Sequence, residues 1–152
     1  GDFGNNSNNR KDLCIYKISP SDQQSDSWKA QKIQFHYPDQ KAFPPSPDFL
    51  HFDVEAMIAF KDSLYLFTKN RTKPNNGFIK LYRLPQQAGK YTAVLQDSFK
   101  IKKGRFRKSI TSAAISEDGH TLVLLRMGRL HIFKDFDGTN FCNATILHQN
   151  RL

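Results

Sequence analysis

Cysteine, acidic residues and long apolar runs are all scarce in this chain. Its 152 residues include two Cys, and 14 Asp and Glu stand against 23 Lys and Arg. Two Cys cannot build a disulfide framework. No stretch approaches the roughly 18 consecutive apolar residues of a membrane span. Sustained helical periodicity is missing, as are the Gly-x-Ser-x-Gly elbow, the P-loop, the dinucleotide fingerprint and His-Glu-x-x-His. His36, His51, His120, His131 and His148 are scattered and match no metal-ligand spacing. The chain opens Gly1-Asp2-Phe3-Gly4 with neither an initiating Met nor a leader, so processing or truncation is expected to have removed what preceded it. What is present is 38% hydrophobic and 12% aromatic, too rich in aromatic and β-branched residues for a disordered tail. One soluble domain, or part of one, is the expectation.

Positive charge is concentrated. Residues 61–134 hold 16 Lys and Arg against four Asp and Glu, net +12, while the remainder is net −3. The densest run, Lys100 to Lys108, carries six cations in nine residues and suits an exposed loop. Ile101 and Phe106 interleave it as on a polyanion-binding surface, with an acidic glycan the better-matched polyanion. No reading helix or zinc ligand set accompanies it, so nucleic acid is disfavoured as a partner.

Short β-branched and aromatic runs separated by Gly, Pro, Asn and Asp give an all-β pattern. Residues 13–18, 28–35, 52–60, 64–68, 78–84, 91–96, 110–116, 122–125, 130–133 and 141–147 read as ten strands. They repeat. Val54 to Tyr65 aligns without a gap on Ser112 to Val123, a small-residue strand followed by a polar turn and an apolar strand. A third strand recurs as Leu13-Cys14-Ile15-Tyr16-Lys17, Ile79-Lys80-Leu81-Tyr82-Arg83 and Leu130-His131-Ile132-Phe133-Lys134. A fourth is expected at Trp28-Lys29-Ala30, Tyr91-Thr92-Ala93 and Phe141-Cys142-Asn143-Ala144.

A repeated four-stranded antiparallel unit predicts a β-propeller, whose blades bury their faces against one another. A β-sandwich would supply short strands but not the same signatures in the same order. The units fall at 1–49, an incomplete blade, then 50–109 and 110–152, making about two and a half blades in one partial domain. Propellers close with four to eight blades. The chain is therefore expected to be an internal piece of a longer protein or to self-associate through open blade faces. Cys14 and Cys142 lie on different strand types two units apart, so they are expected to remain unpaired.

Several of these segments carry a family resemblance: the loop Gly1 to Arg10 before Leu13-Cys14-Ile15-Tyr16, then Asp53-Val54-Glu55-Ala56, Leu64 to Arg71, Lys80 to Pro85 and Ile115 to Gly119. Together they resemble an uncharacterised family of secreted bacterial β-propeller proteins, and more distantly NHL-repeat, SdiA-regulated and phytase-like propellers. The resemblance implies an extracytoplasmic location, secreted, periplasmic or at the cell surface. One departure is Ala113, which stands where the preceding unit has Glu55.

Two groups of residues invite chemistry. Asp53 and Glu55, two apart on a strand, are expected on one face with Val54, Ala56 and Ile58 on the other. Joined by Asp2, they would suit Ca²⁺ or Mg²⁺. The alternative is that they hydrogen-bond a neighbouring blade or pair with Lys69 or Arg71. Lys69, Asn70 and Arg71, with Asn5 and Asn6, offer donors for a phosphate, carboxylate or acidic sugar. Asn5, Asn6, Asn8 and Asn9 also suit plain turn chemistry. Asp2, Asn5, Asp53, Glu55 and Lys69 are expected to meet if their loops share a channel mouth. Two functions follow. One is a non-enzymatic scaffold that binds a protein, glycan or small molecule. The other is a calcium-dependent phytase-like or lactonase-like hydrolase, with the metal polarising an ester and activating water.

Overall fold

Strands form where β-branched and aromatic residues cluster between turn residues. The computed structural model describes residues 1–24, 26–100, 109–126, 128–139 and 145–151. In chain order the strands are β1 (Cys14–Lys17), β2 (Gln23–Gln24), β3 (Ser27–Trp28), β4 (Gln31–His36), β5 (Asp53–Phe60), β6 (Ser63–Lys69), β7 (Phe78–Pro85), β8 (Gly89–Thr92), β9 (Val94–Lys100), β10 (Ile110–Ile115), β11 (Thr121–Arg126), β12 (Arg129–Lys134) and β13 (Thr145–Arg151). Apart from the small β2-β3 hairpin they make three sheets: β1-β4-β8, β5-β6-β7-β9 and β10-β11-β12-β13. The described residues are thus all-β. The three sheets are rich in antiparallel pairs, and none closes on itself.

Residues paired across an antiparallel ladder share a face, so the register places the core. Leu64 pairs with Leu84 and Leu66 with Tyr82. These four meet Leu13, just before β1, and Ile15, Ile33 and Phe35 of the first sheet in one apolar cluster. On the opposite face of the second sheet, Tyr65, Phe67, Ile79 and Leu81 meet Leu122, Leu124 and Phe133 of the third. The second sheet is therefore buried on both sides. This accounts for the unbroken Leu64-Tyr65-Leu66-Phe67, where a sheet with one wet face would alternate apolar and polar residues. Leu66, Phe67, Ile79, Leu81, Tyr82 and Leu84 are fully buried. Each such side chain contributes about 1.5–3 kcal/mol.

The repeat reaches into the irregularities. The gap-free alignment sets Lys61 on Gly119, and both adopt positive φ, 51° and 75°. The third-strand motif separately sets Leu81-Tyr82 on Ile132-Phe133, and the ladder to the fourth strand shifts register at both places. In the first two units the fourth strand lies later in the sequence than expected: β4 and β9 begin at the residue after the alanine of the aromatic-containing motif, at Gln31 and Val94, while the third such motif, Phe141-Cys142-Asn143-Ala144, lies outside the described residues. Tyr91-Thr92 instead ends β8, which leaves the second unit and runs parallel to β4, with Ile33 opposite Gly89 and His36 opposite Thr92. Tyr91 packs against the core between the first two sheets, and Ala93 N donates to His36 O at 2.9 Å. That packing divides the predicted 91–96 strand in two.

Candidate functional site

The site forms where β5 begins, because an asparagine loop is fastened to that end of the strand. Asn8 adopts φ 52°, a left-handed conformation that Asn tolerates better than most residues. Its amide then works in two directions: Nδ2 donates to Asn5 O at 2.9 Å, and Oδ1 accepts from Phe52 N at 2.7 Å. Gln40 donates to Asn8 O at 2.7 Å. Asn5 N in turn donates to Asp53 Oδ1 at 2.8 Å. Asn5 and Asn8 are both buried, so these asparagines do turn chemistry.

Asp53 is the anchor. Its side chain is 1% exposed, and Oδ2 accepts from Arg71 Nε at 2.8 Å. Arg71 reaches onward through Nη2 to Asn6 Oδ1 and to Glu55 Oε1, the latter at 3.3 Å. Lys69 Nζ lies 2.5 Å from the same Glu55 oxygen. Of the five residues expected to meet, Asn5, Asp53, Glu55 and Lys69 come together, joined by Asn6 and Arg71, and are drawn from the first loop, from β5, and from the end of β6 and the residues just after it. Glu55, Lys69 and Arg71 stay partly exposed. Asp2 is held elsewhere: Arg10 Nη1 lies 2.8 Å from it and lowers its pKa.

Asp53 and Glu55 do not sit in the expected alternation. The register passes from Val54 opposite Thr68 to Ala56 opposite Phe67, leaving Glu55 as the extra residue of a bulge. Val54 consequently packs toward the first sheet, while Ala56 and Ile58 pack toward the third. These three do not share a face, because the bulge resets the period of two.

Asn70 serves the loop that follows β6. Its Nδ2 donates to Asn76 Oδ1 and Phe78 O, and its Oδ1 accepts from Thr72 N and Oγ1. It is buried, with both ends of its amide engaged inside the protein. Sequence reasoning missed a second polar cluster close by. Lys80 Nζ lies 2.5 Å from Asp39 Oδ2, and Tyr82 OH donates to Asp39 at 2.8 Å. Burial and the Asp39 charge raise the Tyr82 pKa. Burial, then the charge of Lys80, pushes His51 down to about 4. Asn76 Oδ1 is occupied by Asn70 and Phe78, so its Nδ2 donates to His51 Nε2 at 3.3 Å, leaving the proton of neutral His51 on Nδ1. Tyr37 lies close enough to Asp53 and Asp39 for their charges to raise its pKa, after the larger effect of burial. The one sequence signal for this cluster was Lys80 inside an apolar strand.

A resident calcium ion does not fit these carboxylates. Ca²⁺ takes six to eight oxygens, whereas both oxygens of Asp53 and Oε1 of Glu55 already accept from the backbone or from cations. Two carboxylates face two cations, leaving no excess negative charge to hold a divalent ion. Among the described residues, no three His, Cys, Asp or Glu side chains are placed to share a metal ion. The basic run beyond Lys100 lies outside the described residues, as does Cys142. Cys14 is buried and free. No helix among the described residues is long and apolar enough to cross a membrane. No family model matches the chain, and no curated protein matches it in sequence.

Proposed function

We propose that the stacked sheets are blades of a β-propeller and that the chain acts as an extracytoplasmic binding scaffold, with ligand contacts at the Asp53 end of the second sheet. The observation that carries this reading is the ion-paired cluster of Asn6, Glu55, Lys69 and Arg71. Three chain segments fix it, the buried Asp53 anchors it, and it is partly open to solvent. The propeller reading is supported by the matching register shifts in the two four-stranded units and by the burial of both faces of the sheet between its neighbours. The extracytoplasmic location rests on the family resemblance.

Within the classes of protein, glycan and small molecule, the cluster favours a neutral polyhydroxyl surface. Its two cations offer donors and the partly exposed Glu55 carboxylate offers an acceptor, with the charges of Asp53, Glu55, Lys69 and Arg71 balanced, and a sugar's neighbouring hydroxyls need both. Glycan-array screening, followed by calorimetry on the best hit, tests this. The expected outcome is a neutral glycan whose binding falls at least about tenfold in Glu55→Gln and in Lys69→Ala. Selection of acidic glycans alone, or binding indifferent to both substitutions, would remove the site from this role.

A further inference from the structure

An exposed aromatic residue is fastened beside the charged cluster. Phe49 is 60% exposed, although the chain enters the core two residues later, where His51 and Phe52 are buried. It ends the short 3-10 turn Pro47–Phe49, and its backbone is engaged on both sides. Phe49 N donates to Ser46 O at 2.9 Å, and Phe49 O accepts from His51 N at 2.8 Å. Pro44, Pro45 and Pro47 fix φ along the approach, so holding this turn in place forfeits little chain entropy when a ligand binds. The turn is also joined to the site. Arg71 N donates to Leu50 O at 2.9 Å and Lys73 N to Pro47 O at 2.8 Å, so residues 47–50 and 71–73 run side by side in opposite directions. Arg71 is the residue whose guanidinium links Asp53, Glu55 and Asn6. Adjoining segments thus carry an apolar ring and hydrogen-bonding groups of both kinds, all reached by water.

This combination fits one stereochemistry of sugar. The negative face of an aromatic ring attracts positively polarised C–H bonds. A pyranose presents such bonds on its two faces, while its equatorial hydroxyls project around its edge. An axial hydroxyl spoils a face. A β-linked glucose unit has none, because every hydroxyl and the linkage itself are equatorial. We propose that Phe49 is the stacking platform of the glycan site and that the ligand it selects is a β-linked glucan, whose edge hydroxyls bond Glu55, Lys69 and Arg71. The inference rests on the glycan reading above and deepens it. The charged cluster recognises neighbouring hydroxyls of any sugar, whereas the ring chooses among sugars by the face they offer.

The probe is cellotetraose, a β(1→4)-linked glucose oligomer, and the control is an α(1→2)-linked mannose oligomer, whose linkages and 2-oxygens are axial. Calorimetry on the full chain reads the affinity. Proton NMR of the sugar reads the place, since stacking on an aromatic ring moves the axial ring protons upfield. The expected result is that cellotetraose binds with its axial protons shifted upfield, and that the mannose oligomer binds at least about tenfold more weakly. Phe49→Ala removes the shift and weakens binding at least about tenfold. Phe49→Trp keeps both, and Phe49→Leu, apolar but not aromatic, loses the shift. The Phe49 side chain lies mostly in solvent, so the fold is not at stake. The inference alone is overturned if a neutral glycan binds through Glu55 and Lys69 while Phe49→Ala is indifferent. It is equally overturned if the mannose oligomer is preferred, or if cellotetraose fails to bind at about 10 mM while another neutral glycan binds. Where no neutral glycan binds, or binding ignores Glu55→Gln and Lys69→Ala, the glycan reading falls and this inference with it.

Discussion

Removing the Asp53 carboxylate tests the energetic core of the site. Its two oxygens accept from Asn5 N and Arg71 Nε, both at 2.8 Å, and the side chain is 1% exposed. A hydrogen bond to a charged group contributes about 1.5–3 kcal/mol. Breaking a fully buried pair costs about 3–5 kcal/mol, because the remaining partner is stranded. Arg71 is 31% exposed and keeps Glu55 and Asn6, so its share is discounted for solvent. Asp53→Ala should therefore lose about 3–4 kcal/mol, most of it at the orphaned Asn5 N–H and the loosened loop. Arg71→Ala should lose about 2 kcal/mol, and the double mutant should show coupling of about 1–2 kcal/mol. Urea unfolding followed by circular dichroism measures all three, the midpoint moving at constant slope. A loss below about 1 kcal/mol for Asp53→Ala, the range of an exposed ion pair, would refute the anchoring role.

The buried histidine sets a pH dependence. His51 falls from 6.5 unfolded to about 4 folded, so between those values the unfolded chain binds the extra proton. Stability is fully present above pH 6.5 and declines as pH falls toward 4, by at most about 1.4 kcal/mol per pH unit for this group. His51→Gln should make that part of the stability–pH curve shallower, while the lowered His131 keeps some slope of the same sign. Exchanging EDTA for calcium should leave the melting temperature unchanged, since the carboxylates at the site are already paired with cations; a rise abolished by Glu55→Gln would reverse that reading. Gly119→Ala should cost about 1 kcal/mol or more. The residue adopts φ 75°, and an added Cβ would lie 2.7 Å from the Phe60 ring. A neutral result in thermal melts would show that the turn relaxes freely.

The parts of the fold legible in the sequence were those written in side-chain pattern. Apolar runs between turn residues located most strands, and the repeated Ile79-to-Arg83 and Leu130-to-Lys134 signature located equivalent strands. The site was legible as far as the residue types near Asp53 and Arg71 reached. What stayed hidden depended on the backbone. A bulge leaves no residue signature, so the separation of Val54 from Ala56 could not be read. The parallel pairing of β8 with β4 joins residues 56 apart in sequence through main-chain bonds. Asp39 and Lys80, 41 apart, are a pair only because Tyr82 brings its strand beneath the Asp39 turn.

One pattern says more than its surroundings yet reveal. Leu122-Val123-Leu124-Leu125 in β11 reads as continuously apolar, like Leu64-Tyr65-Leu66-Phe67 in β6, and such runs belong to sheets covered on both faces. In β6 both faces are covered, and Phe67 is fully buried against the third sheet. In β11, Leu122 and Leu124 are buried toward the second sheet, while Val123 and Leu125 remain half-buried. Aligned positions of the repeat should therefore differ in energy. Phe67→Ala should cost about 3–5 kcal/mol. Leu125→Ala should cost about 1–2 kcal/mol, since only part of the roughly 1.5–3 kcal/mol of full burial is at stake. Urea midpoints of the two variants decide it. Equal losses would mean that the outer face of the third sheet is covered in solution, and the burial argument for this strand would be wrong.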